Sequence, residues 1–365
     1  MPRPGPPEVL FTGFPGFIGA RLLPRLLALR PEWRFRCLVQ DRFLPQAREG
    51  IAAIAREHPH TRGRLAVVVG DITRENLGLE RAEARALAAT LEGAFHLAAV
   101  YDLAVAREVG VRINVDGTRN VLRLLQDAPR LERLHYVSTA YVSGRARGVF
   151  RETDLDVGQS FKNFYEETKF LAEVDVAGSG VPATVYRPSI VVGDSRTGET
   201  AKFDGPYFVL SAMERLPSPG VFPRIGSGAN AVDLAPVDFV VEGLARLATI
   251  GASRGRTYHL TDPEPPRALE IARLLAGALG KRFLYVPVPA LVAAAAFRPA
   301  LVQSFFGMPV QALDYFDHPC RHDPSQALHD LEPLGVRCPP FASYVDRLVR
   351  FYRDKKAEVR RSAMI

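Results

Sequence analysis

The feature that most constrains the fold is a glycine-rich turn near the N-terminus, placed between an apolar stretch and a helical pattern. Residues 8–12 read EVLFT, which is typical of a short buried strand, and residues 17–29 carry helical apolar periodicity. A strand, a glycine turn and a helix in this order form the context of a dinucleotide-binding fingerprint. We therefore predict that the turn binds a dinucleotide cofactor through Gly13, Phe14, Pro15, Gly16, Phe17 and Ile18.

The glycines follow a G-x-x-G-x-x-G pattern, one residue longer than the G-x-G-x-x-G form. Glycine lets the backbone approach a pyrophosphate, which would lie at the positively polarised start of the following helix. A glycine-rich turn that binds no ligand is the alternative interpretation.

Strands and helices then alternate along the chain. Further strands are expected at 34–40, up to Asp71, at 94–99 and up to Thr139, with helical stretches between them. This alternation predicts an α/β fold with a doubly wound parallel sheet, the Rossmann type, and a smaller C-terminal substrate lobe. We expect the dinucleotide-binding domain at 1–193, with disorder at 1–7 and part of 230–262 completing the sheet, and the substrate lobe mainly at 194–365.

Residues that follow the strands are candidates for cofactor contacts. After the second strand, a carboxylate favours a free ribose 2′-hydroxyl and an arginine favours a 2′-phosphate, and this chain offers Gln40, Asp41 and Arg42. The motif therefore leaves NADPH and NADH open. Asp71, followed by Ile72, is a candidate partner for the adenine edge, and the small Ala98 and Ala99 would allow close approach of the cofactor. We interpret His96, within its strand, as a core histidine rather than a base.

The chemistry is expected around Tyr165 and Lys169, which stand four residues apart in a helical pattern and so share one helix face. Thr139 closes a predicted strand 26 positions before Tyr165, where its hydroxyl could meet the phenol. A hydroxyl, a phenol and an ammonium beside a dinucleotide can move a proton while a hydride moves. Tyr352 and Lys356 repeat the spacing in the charged tail, where we expect a solvated helix end.

Composition excludes several classes of protein. The formal charge is +7, but the basic residues are spread along the whole chain, which does not indicate nucleic-acid binding. No apolar stretch is long enough to span a membrane, and the Pro-rich start does not resemble a secretory signal, so a cytoplasmic location is expected. Three widely spaced cysteines indicate no disulfide framework and no metal site.

The apolar segment 289–307, PALVAAAAFRPALVQSFFG, has no assigned role. It could form an acyl-binding wall, a helix at a membrane interface, which would mean peripheral membrane contact, or a helix packed within the second lobe.

In combination, these stretches resemble an extended short-chain dehydrogenase/reductase, within it the fatty acyl-CoA reductase and thioester-reductase branch with the "male sterility" NAD-binding domain. The similarity covers about residues 8–262. The matching stretches are TGFPGFIG (12–19), GDI (70–72), HLAA (96–99), RINVDGT (112–118), VSTAYVSG (137–144), RPSIVVGDSRTGE (187–199), KFDGPYF (202–208) and LAPVDFV (234–240), together with Tyr165 and Lys169.

The resemblance implies roles for individual residues. Thr139 matches the catalytic Ser/Thr, Tyr165 the general acid, Lys169 its partner, and Asn114 the residue that supports the lysine through water. Pro188 and Ser189 match positions that meet the nicotinamide carboxamide. NADPH-using members usually carry Arg where this chain has Gln40, but Arg42 and Arg48 favour NADPH.

The resemblance also implies a substrate, an acyl thioester of coenzyme A or of a carrier protein, reduced to an aldehyde or alcohol. Alternatives on the same scaffold are a secondary-alcohol dehydrogenase or ketone reductase, of sterol or 3-hydroxy type, and a sugar-nucleotide epimerase or dehydratase. A remote alternative is a non-catalytic NADP sensor. By analogy, homodimers could form through the helices that carry Asn114 and Tyr165.

Overall fold

A computed structural model of the protein describes residues 6–299, 303, 310–315 and 319–362. The strands are β1 (Glu8–Thr12), β2 (Arg34–Val39), β3 (Leu65–Val69), β4 (Leu91–His96), β5 (Arg133–Val137), β6 (Gly148–Arg151), β7 (Ala183–Pro188), β8 (Ile190–Val192), β9 (Gly220–Ile225), β10 (Leu234–Pro236), β11 (Thr257–Leu260), β12 (Phe283–Val288) and β13 (Cys320–Asp323). The helices are α1 (Phe17–Leu29), α2 (Leu44–Glu57), α3 (Arg81–Thr90), α4 (Arg107–Gly110), α5 (Gly117–Gln126), α6 (Phe164–Gly178), α7 (Pro206–Arg215), α8 (Val237–Thr249), α9 (Ala268–Leu279), α10 (Ala290–Phe297), α11 (Ser325–Leu331) and α12 (Val345–Ser362).

Seven strands form one parallel sheet in the order β3-β2-β1-β4-β5-β7-β11. One apolar cluster joins α1, α2 and α8 to one face, and a second joins α3, α5 and α6 to the other. Strands covered on both faces need continuous apolar sequence, which is the pattern of EVLFT and its neighbours. The predicted doubly wound parallel sheet is confirmed.

The strands end earlier than the sequence analysis predicted. β2 ends at Val39, β3 at Val69, β4 at His96 and β5 at Val137, each one or more residues short of the expected end. At the end of β3 the backbone turns away, because the Asp71 N–H donates to the Leu77 carbonyl instead of to a neighbouring strand. The residues expected to contact the cofactor therefore lie in the loops just beyond the strands.

Residues 183–192 form two strands, β7 and β8, that are divided at Ser189. β7 pairs with β5 and β11 in the main sheet, whereas β8 pairs with β10. The division follows Pro188, which has no N–H to continue a ladder. β11 forms an edge of the main sheet, as expected for a part of 230–262.

The C-terminal lobe has its own core, which joins α7, α9 and α12, and a parallel strand pair, β9 with β12. Other parts of the C-terminal half pack against the N-terminal half: α8 packs on α1, and β13 pairs with β6 in a separate two-stranded sheet. The prediction of a solvated Tyr352 is wrong. Its side chain is fully buried against Phe203 and Tyr207 in the lobe core, because α12 turns an apolar face towards α9.

Candidate active site

A cavity of about 1150 Å³ lies at the carboxyl ends of the strands of the main sheet. Parallel α/β sheets bind ligands at this edge, where the loops after the strands meet. Most of the predicted site residues line it, namely Gly13, Phe14, Pro15, Gly16, Phe17, Ile18, Gln40, Arg42, Ile72, Ala98, Ala99, Thr139, Tyr165, Lys169, Pro188 and Ser189. Asp41, Asp71 and Asn114 are not part of its lining.

The glycine turn packs so closely that side chains would not fit. A Cβ on Gly13 would lie 2.8 Å from the Leu97 Cβ and 2.9 Å from the Ala98 nitrogen, and one on Gly19 would lie 2.6 Å from the Gly13 carbonyl oxygen. Helix α1 then begins with neither a side-chain cap nor an acidic residue in its first turn. Its free N–H groups can therefore receive the phosphates of a dinucleotide.

Two buried hydroxyl groups in the cavity wall support the same ligand. The Oγ atoms of Ser138 and Ser189 have no hydrogen-bond partner among the described residues. Buried polar groups are nearly always paired, so such atoms indicate a missing polar ligand. Ser189 is the residue at which β7 and β8 separate, which opens this part of the wall to a ligand. The residues present therefore fit a dinucleotide.

The 2′-position residues separate in the structure. Arg42 lines the cavity, donates from Nε to the Gln40 Oε1 at 2.8 Å and lies over the Phe43 ring. Asp41 is exposed and outside the cavity lining, as is Arg48. Of the charged candidates, only Arg42 is positioned to meet a ligand in the cavity.

Asp71, predicted to bind the adenine edge, has its carboxylate engaged within its own loop. Its Oδ1 accepts from the Thr73 amide at 2.9 Å and the Thr73 hydroxyl at 2.8 Å. Burial favours a higher pKa for Asp71, but the bonds from Thr73 and Gln40 outweigh it and lower the pKa. The adenine contact remains a prediction.

Thr139 and Tyr165 both line the cavity. Thr139 caps a short 3₁₀ turn (Ala140–Ser143) by accepting from the Tyr141 N–H at 3.3 Å, and its hydroxyl donates to the Pro188 carbonyl at 3.4 Å. Burial raises the pKa of Tyr165 above its ordinary value, while the Thr139 side chain lowers it. Tyr165 is therefore a neutral phenol at physiological pH, the form that can donate a proton.

Lys169 is held by two acceptors from the neighbouring strand. Its Nζ donates to the Tyr136 hydroxyl at 2.9 Å and to the Val137 carbonyl at 2.8 Å. Burial lowers the pKa of Lys169 to about 7, and the Glu173 carboxylate opposes that shift. Lys169 therefore changes its charge near neutral pH.

Behind Lys169, buried hydrogen bonds continue into the core. The Thr118 hydroxyl donates to the Asn114 carbonyl and contacts the His96 Nε2 at 3.0 Å. The His96 Nδ1 contacts the Thr12 hydroxyl at 2.7 Å. Burial lowers the pKa of His96 to about 3, so this histidine is neutral. It is a buried and fully paired core residue, as predicted.

Asn114 makes direct hydrogen bonds to Val100 and Thr168. It lies in a π-helical turn (Val111–Asp116) between α4 and α5. Its side chain accepts from the Val100 N–H at 2.8 Å and donates to the Val100 carbonyl at 3.3 Å and the Thr168 hydroxyl at 3.0 Å. The direct contacts of Asn114 therefore position the 97–101 loop at the cavity, and support of Lys169 through water remains a prediction.

Three further residues at the site were assigned no role from the sequence. The Tyr101 ring packs edge-on against Tyr165 with centroids 5.0 Å apart, and the Lys202 Nζ lies 5.3 Å from the Tyr101 ring. Asp204 lines the cavity, and burial raises its pKa to about 6 while Lys202 opposes the shift. Lys202 and Asp204 are the charged residues of KFDGPYF, an otherwise apolar stretch. This pair was the sequence signal that could have indicated their place at the site.

Among the described residues, no group of three or more His, Cys, Asp or Glu could hold a metal ion. All three cysteines are free thiols. Within the part of the chain that the structure describes, no helix is long and apolar enough to cross a membrane.

Comparison with known proteins places this site in a family. The sequence model of the family described as Male sterility protein, an NAD-binding domain, matches residues 11–244. A linear gramicidin synthase polypeptide of Brevibacillus parabrevis is 29% identical over 70% of this chain but only 5% of that protein. The fatty acyl-CoA reductase wat of Drosophila melanogaster is 24% identical over 65% of this chain and 53% of that protein.

The fold extends the similarity over nearly the whole chain. The crystal structure of the terminal R domain from the myxalamid PKS-NRPS biosynthetic pathway superposes with a TM-score of 0.80 at 28% identity. The superposition covers 96% of this chain and 91% of that domain. The similarity therefore includes the C-terminal lobe, beyond the segment that the family model matches.

Proposed function

The chain belongs to the Male sterility protein family of NAD-binding domains, within the extended short-chain dehydrogenases/reductases, and on this premise we propose that it reduces acyl thioesters with NAD(P)H. The family resemblance read from the sequence is thereby confirmed. The observation that carries the proposal is that Thr139, Tyr165 and Lys169 line one cavity, which also extends into the C-terminal lobe.

The residues of the chain supply the binding and the proton. When bound, the reduced nicotinamide supplies the hydride. Negative charge develops on the thioester carbonyl oxygen, where the Thr139 and Tyr165 hydroxyl groups donate hydrogen bonds. Tyr165 then gives its proton as general acid, and the nearby Lys169 ammonium stabilises the phenolate that remains. The carbon–sulfur bond of the resulting hemithioacetal breaks as its hydroxyl proton is lost and the leaving sulfur takes up a proton, so that an aldehyde and a free thiol leave.

The cavity wall contributed by the lobe favours an acyl substrate. Ile190, Phe208, Val209, Leu234 and Ile271 line the cavity on the lobe side. An apolar wall of this kind buries a hydrocarbon chain but offers few hydrogen bonds to a sugar nucleotide. The name of one relative, a fatty acyl-CoA reductase, supports a coenzyme A thioester as the substrate.

For the cofactor we propose NADPH. Arg42 is the charged residue after β2 that lines the cavity, while Asp41 lies outside the lining. A guanidinium donates hydrogen bonds to a 2′-phosphate. Discrimination in favour of NADH instead needs a carboxylate that binds the ribose hydroxyl groups.

The test follows cofactor oxidation at 340 nm with a long-chain acyl-CoA and, in parallel, the release of free thiol. Equal amounts of oxidised cofactor and thiol are expected if the product is the aldehyde, and twice as much oxidised cofactor if it is the alcohol. Oxidation only with an aldehyde or ketone, without thiol, would instead favour the carbonyl-reductase alternative.

The variant that tests the general acid is Tyr165→Phe. It should lose turnover by at least a hundredfold, because general acid catalysis contributes about that much. Cofactor affinity should change little, since the ring remains. Tyr285→Phe, in the C-terminal lobe, is the matched control and should retain full activity. Normal turnover by Tyr165→Phe would contradict the proposed role.

A further inference from the structure

The strand pair β9 and β12 has one face covered by the lobe core and one face in solvent. Phe222 and Tyr285 point inward, with ring centroids 6.3 Å apart, and both pack against the lobe core. On the outer face Val221 is 58% exposed and Leu284, its register partner, is 68% exposed. Val286 on the same face is also exposed.

An exposed apolar face is unusual for parallel strands. Parallel pairs are normally covered on both faces, because both carry apolar side chains. Here the outer face consists of Val221, Pro223, Leu284 and Val286, and side chains of the described residues leave it open to solvent. Exposed apolar residues that form a contiguous patch mark an interaction surface.

Helix α10, the next element along the chain, adds further exposed apolar side chains. It follows β12 directly after Pro289, and its sequence ALVAAAAF contains no polar residue. Leu291 is 86% exposed and Val292 57% exposed. A helix at a protein surface normally carries a polar face, so these side chains also lack a cover. We call Val221, Pro223, Leu284, Val286, Leu291 and Val292 the lobe apolar surface.

The charges around this surface are basic. The sequence contains no Asp or Glu between Glu270 and Asp314, where the chain average of 40 in 365 residues would place about five. Arg282 precedes β12 and projects on the same side as Leu284 and Val286 by strand alternation, and Arg298 follows α10. Both arginines are exposed. Two exposed arginines thus flank the apolar residues along the chain, in a segment without acidic residues.

We propose that the lobe apolar surface binds the surface of an anionic lipid bilayer. Its central side chains offer no hydrogen-bonding group, which suits insertion at the boundary between headgroups and acyl chains. The flanking arginines suit anionic headgroups. A second copy of the chain would bring like charges together. A protein partner would normally meet polar and aromatic anchors, which the central side chains do not provide.

The surface also lies next to the cavity. Phe297 at the end of α10 packs against Leu313, as do Leu103 and Phe208, and the latter two line the cavity. A membrane bound at this surface would therefore lie just outside the wall of the cavity. The membrane inference stands on the exposed side chains and the charges, independently of the proposed reaction.

The experiment is vesicle co-sedimentation of the full chain. Vesicles of phosphatidylcholine with one quarter phosphatidylglycerol are compared with pure phosphatidylcholine vesicles, and at least tenfold stronger binding to the anionic vesicles is expected. The double variant Leu284→Glu/Leu291→Glu should lose at least tenfold of that binding. Val157→Glu, at an exposed valine outside the surface, is the matched control and should bind normally.

The charge contribution is tested separately. Arg282→Gln and Arg298→Gln should each weaken binding to anionic vesicles about fivefold, whereas the exposed Arg85→Gln should not. Turnover of a water-soluble short-chain thioester should be the same in the wild type and the double variant. If neither protein turned over the thioester, this result would count against the proposed reaction and not against membrane binding.

Three results would overturn the proposal. The first is a failure of the vesicle experiment itself: either the wild type binds neither kind of vesicle, or the double variant binds as well as the wild type does. The second is a dimer in sedimentation velocity that the double variant abolishes, without vesicle binding, which would assign the surface to self-association. The third is binding of an acidic acyl carrier protein that the double variant abolishes, again without vesicle binding.

Discussion

At the residue scale, burial lowers the pKa of Lys169, and two hydrogen-bond acceptors oppose that shift. The Tyr136 hydroxyl and the Val137 carbonyl stabilise the ammonium, and burial opposes them strongly enough to lower the pKa to about 7. The ammonium is the form that can stabilise the Tyr165 phenolate. The activity should therefore depend on the charge of Lys169 near neutral pH.

We predict that kcat/KM falls above about pH 7, tenfold per pH unit, as Lys169 loses its proton. This parameter reports the ionisation of the free enzyme, in which the pKa of Lys169 is lowered. The measurement is a pH profile of kcat/KM for the cofactor, at saturating thioester, from pH 5.5 to 9.

Tyr136→Phe sharpens this prediction. Removing the Tyr136 hydroxyl takes one acceptor from the ammonium, so the pKa of Lys169 should fall further and the decline should begin at lower pH. Tyr186→Phe, another fully buried tyrosine of the sheet, is the control and should leave the profile in place. A profile that Tyr136→Phe does not move would show that Lys169 does not control it.

Arg42 is the residue on which the choice of cofactor depends. We predict that Arg42→Ala raises the KM for NADPH about tenfold, because a charge-assisted hydrogen bond to the 2′-phosphate is lost. The KM for NADH should change little. Steady-state kinetics with both cofactors provide the measurement.

Arg48→Ala is the matched control, since Arg48 is an exposed arginine near the same strand end but outside the cavity lining. It should leave both KM values unchanged. An equal effect of Arg42→Ala on NADPH and NADH would contradict discrimination at the 2′-position.

At the element scale, helix α11 is capped by a residue far away in the chain. Glu152, just after β6, accepts from the Ala327 N–H at 3.0 Å, the Gln326 N–H at 2.6 Å and the His259 N–H at 2.8 Å. The helix has no side-chain cap of its own. One buried carboxylate thus satisfies the start of α11 and part of strand β11.

We predict that Glu152→Gln destabilises the protein by about 1–3 kcal/mol, because the amide NH₂ would face backbone N–H donors and leave at least one unsatisfied. Chemical denaturation measures the change in the free energy of unfolding. Hydrogen exchange should rise first in α11. Glu132→Gln, at an exposed site, is the control and should lie within about 0.5 kcal/mol of the wild type. Unchanged stability of Glu152→Gln would show that this cap contributes little.

At the scale of the whole molecule, a buried arginine joins distant segments behind the site. Arg187 is almost fully buried and donates twice to the Glu173 Oε1, at 2.9 and 2.6 Å. It also donates to the Asp154 carbonyl at 2.8 Å and contacts the His259 Nε2 at 3.2 Å. Helix α6, strands β7 and β11 and the loop after β6 therefore share one charge pair.

We predict that Arg187→Met costs about 3–5 kcal/mol of stability, because Glu173 would remain as a buried unpaired charge. The double variant Arg187→Met/Glu173→Met should be more stable than the single variant, since neither charge remains. Thermal and denaturant unfolding measure both.

The control is Arg119→Met. It breaks the exposed pair between Arg119 and Asp175, which lies on α6, the helix that also carries Glu173. Surface pairs contribute about 0–1 kcal/mol, so this variant should stay close to the wild type. If Arg187→Met and Arg119→Met were equally stable, the buried pair would contribute no more to the free energy of unfolding than the exposed pair does.

The sequence by itself determined the features that depend on local geometry. The strand–glycine–helix order places Gly13 and Gly19 at the cavity edge, and the four-residue spacing of Tyr165 and Lys169 puts them on one helix face. Strand alternation likewise predicted the parallel sheet. Periods of two and of 3.6 residues are fixed by the backbone, so a pattern in the sequence is enough to reveal them.

Only the tertiary structure decided which distant residues meet. Lys169 is held by Tyr136 and Val137, more than 30 residues earlier in the chain, and Asn114 contacts the 97–101 loop. Tyr352 shares the spacing of the Tyr165 motif but is buried in the lobe core. Such contacts depend on how helices and strands pack after the chain has folded back on itself, and no local period encodes them.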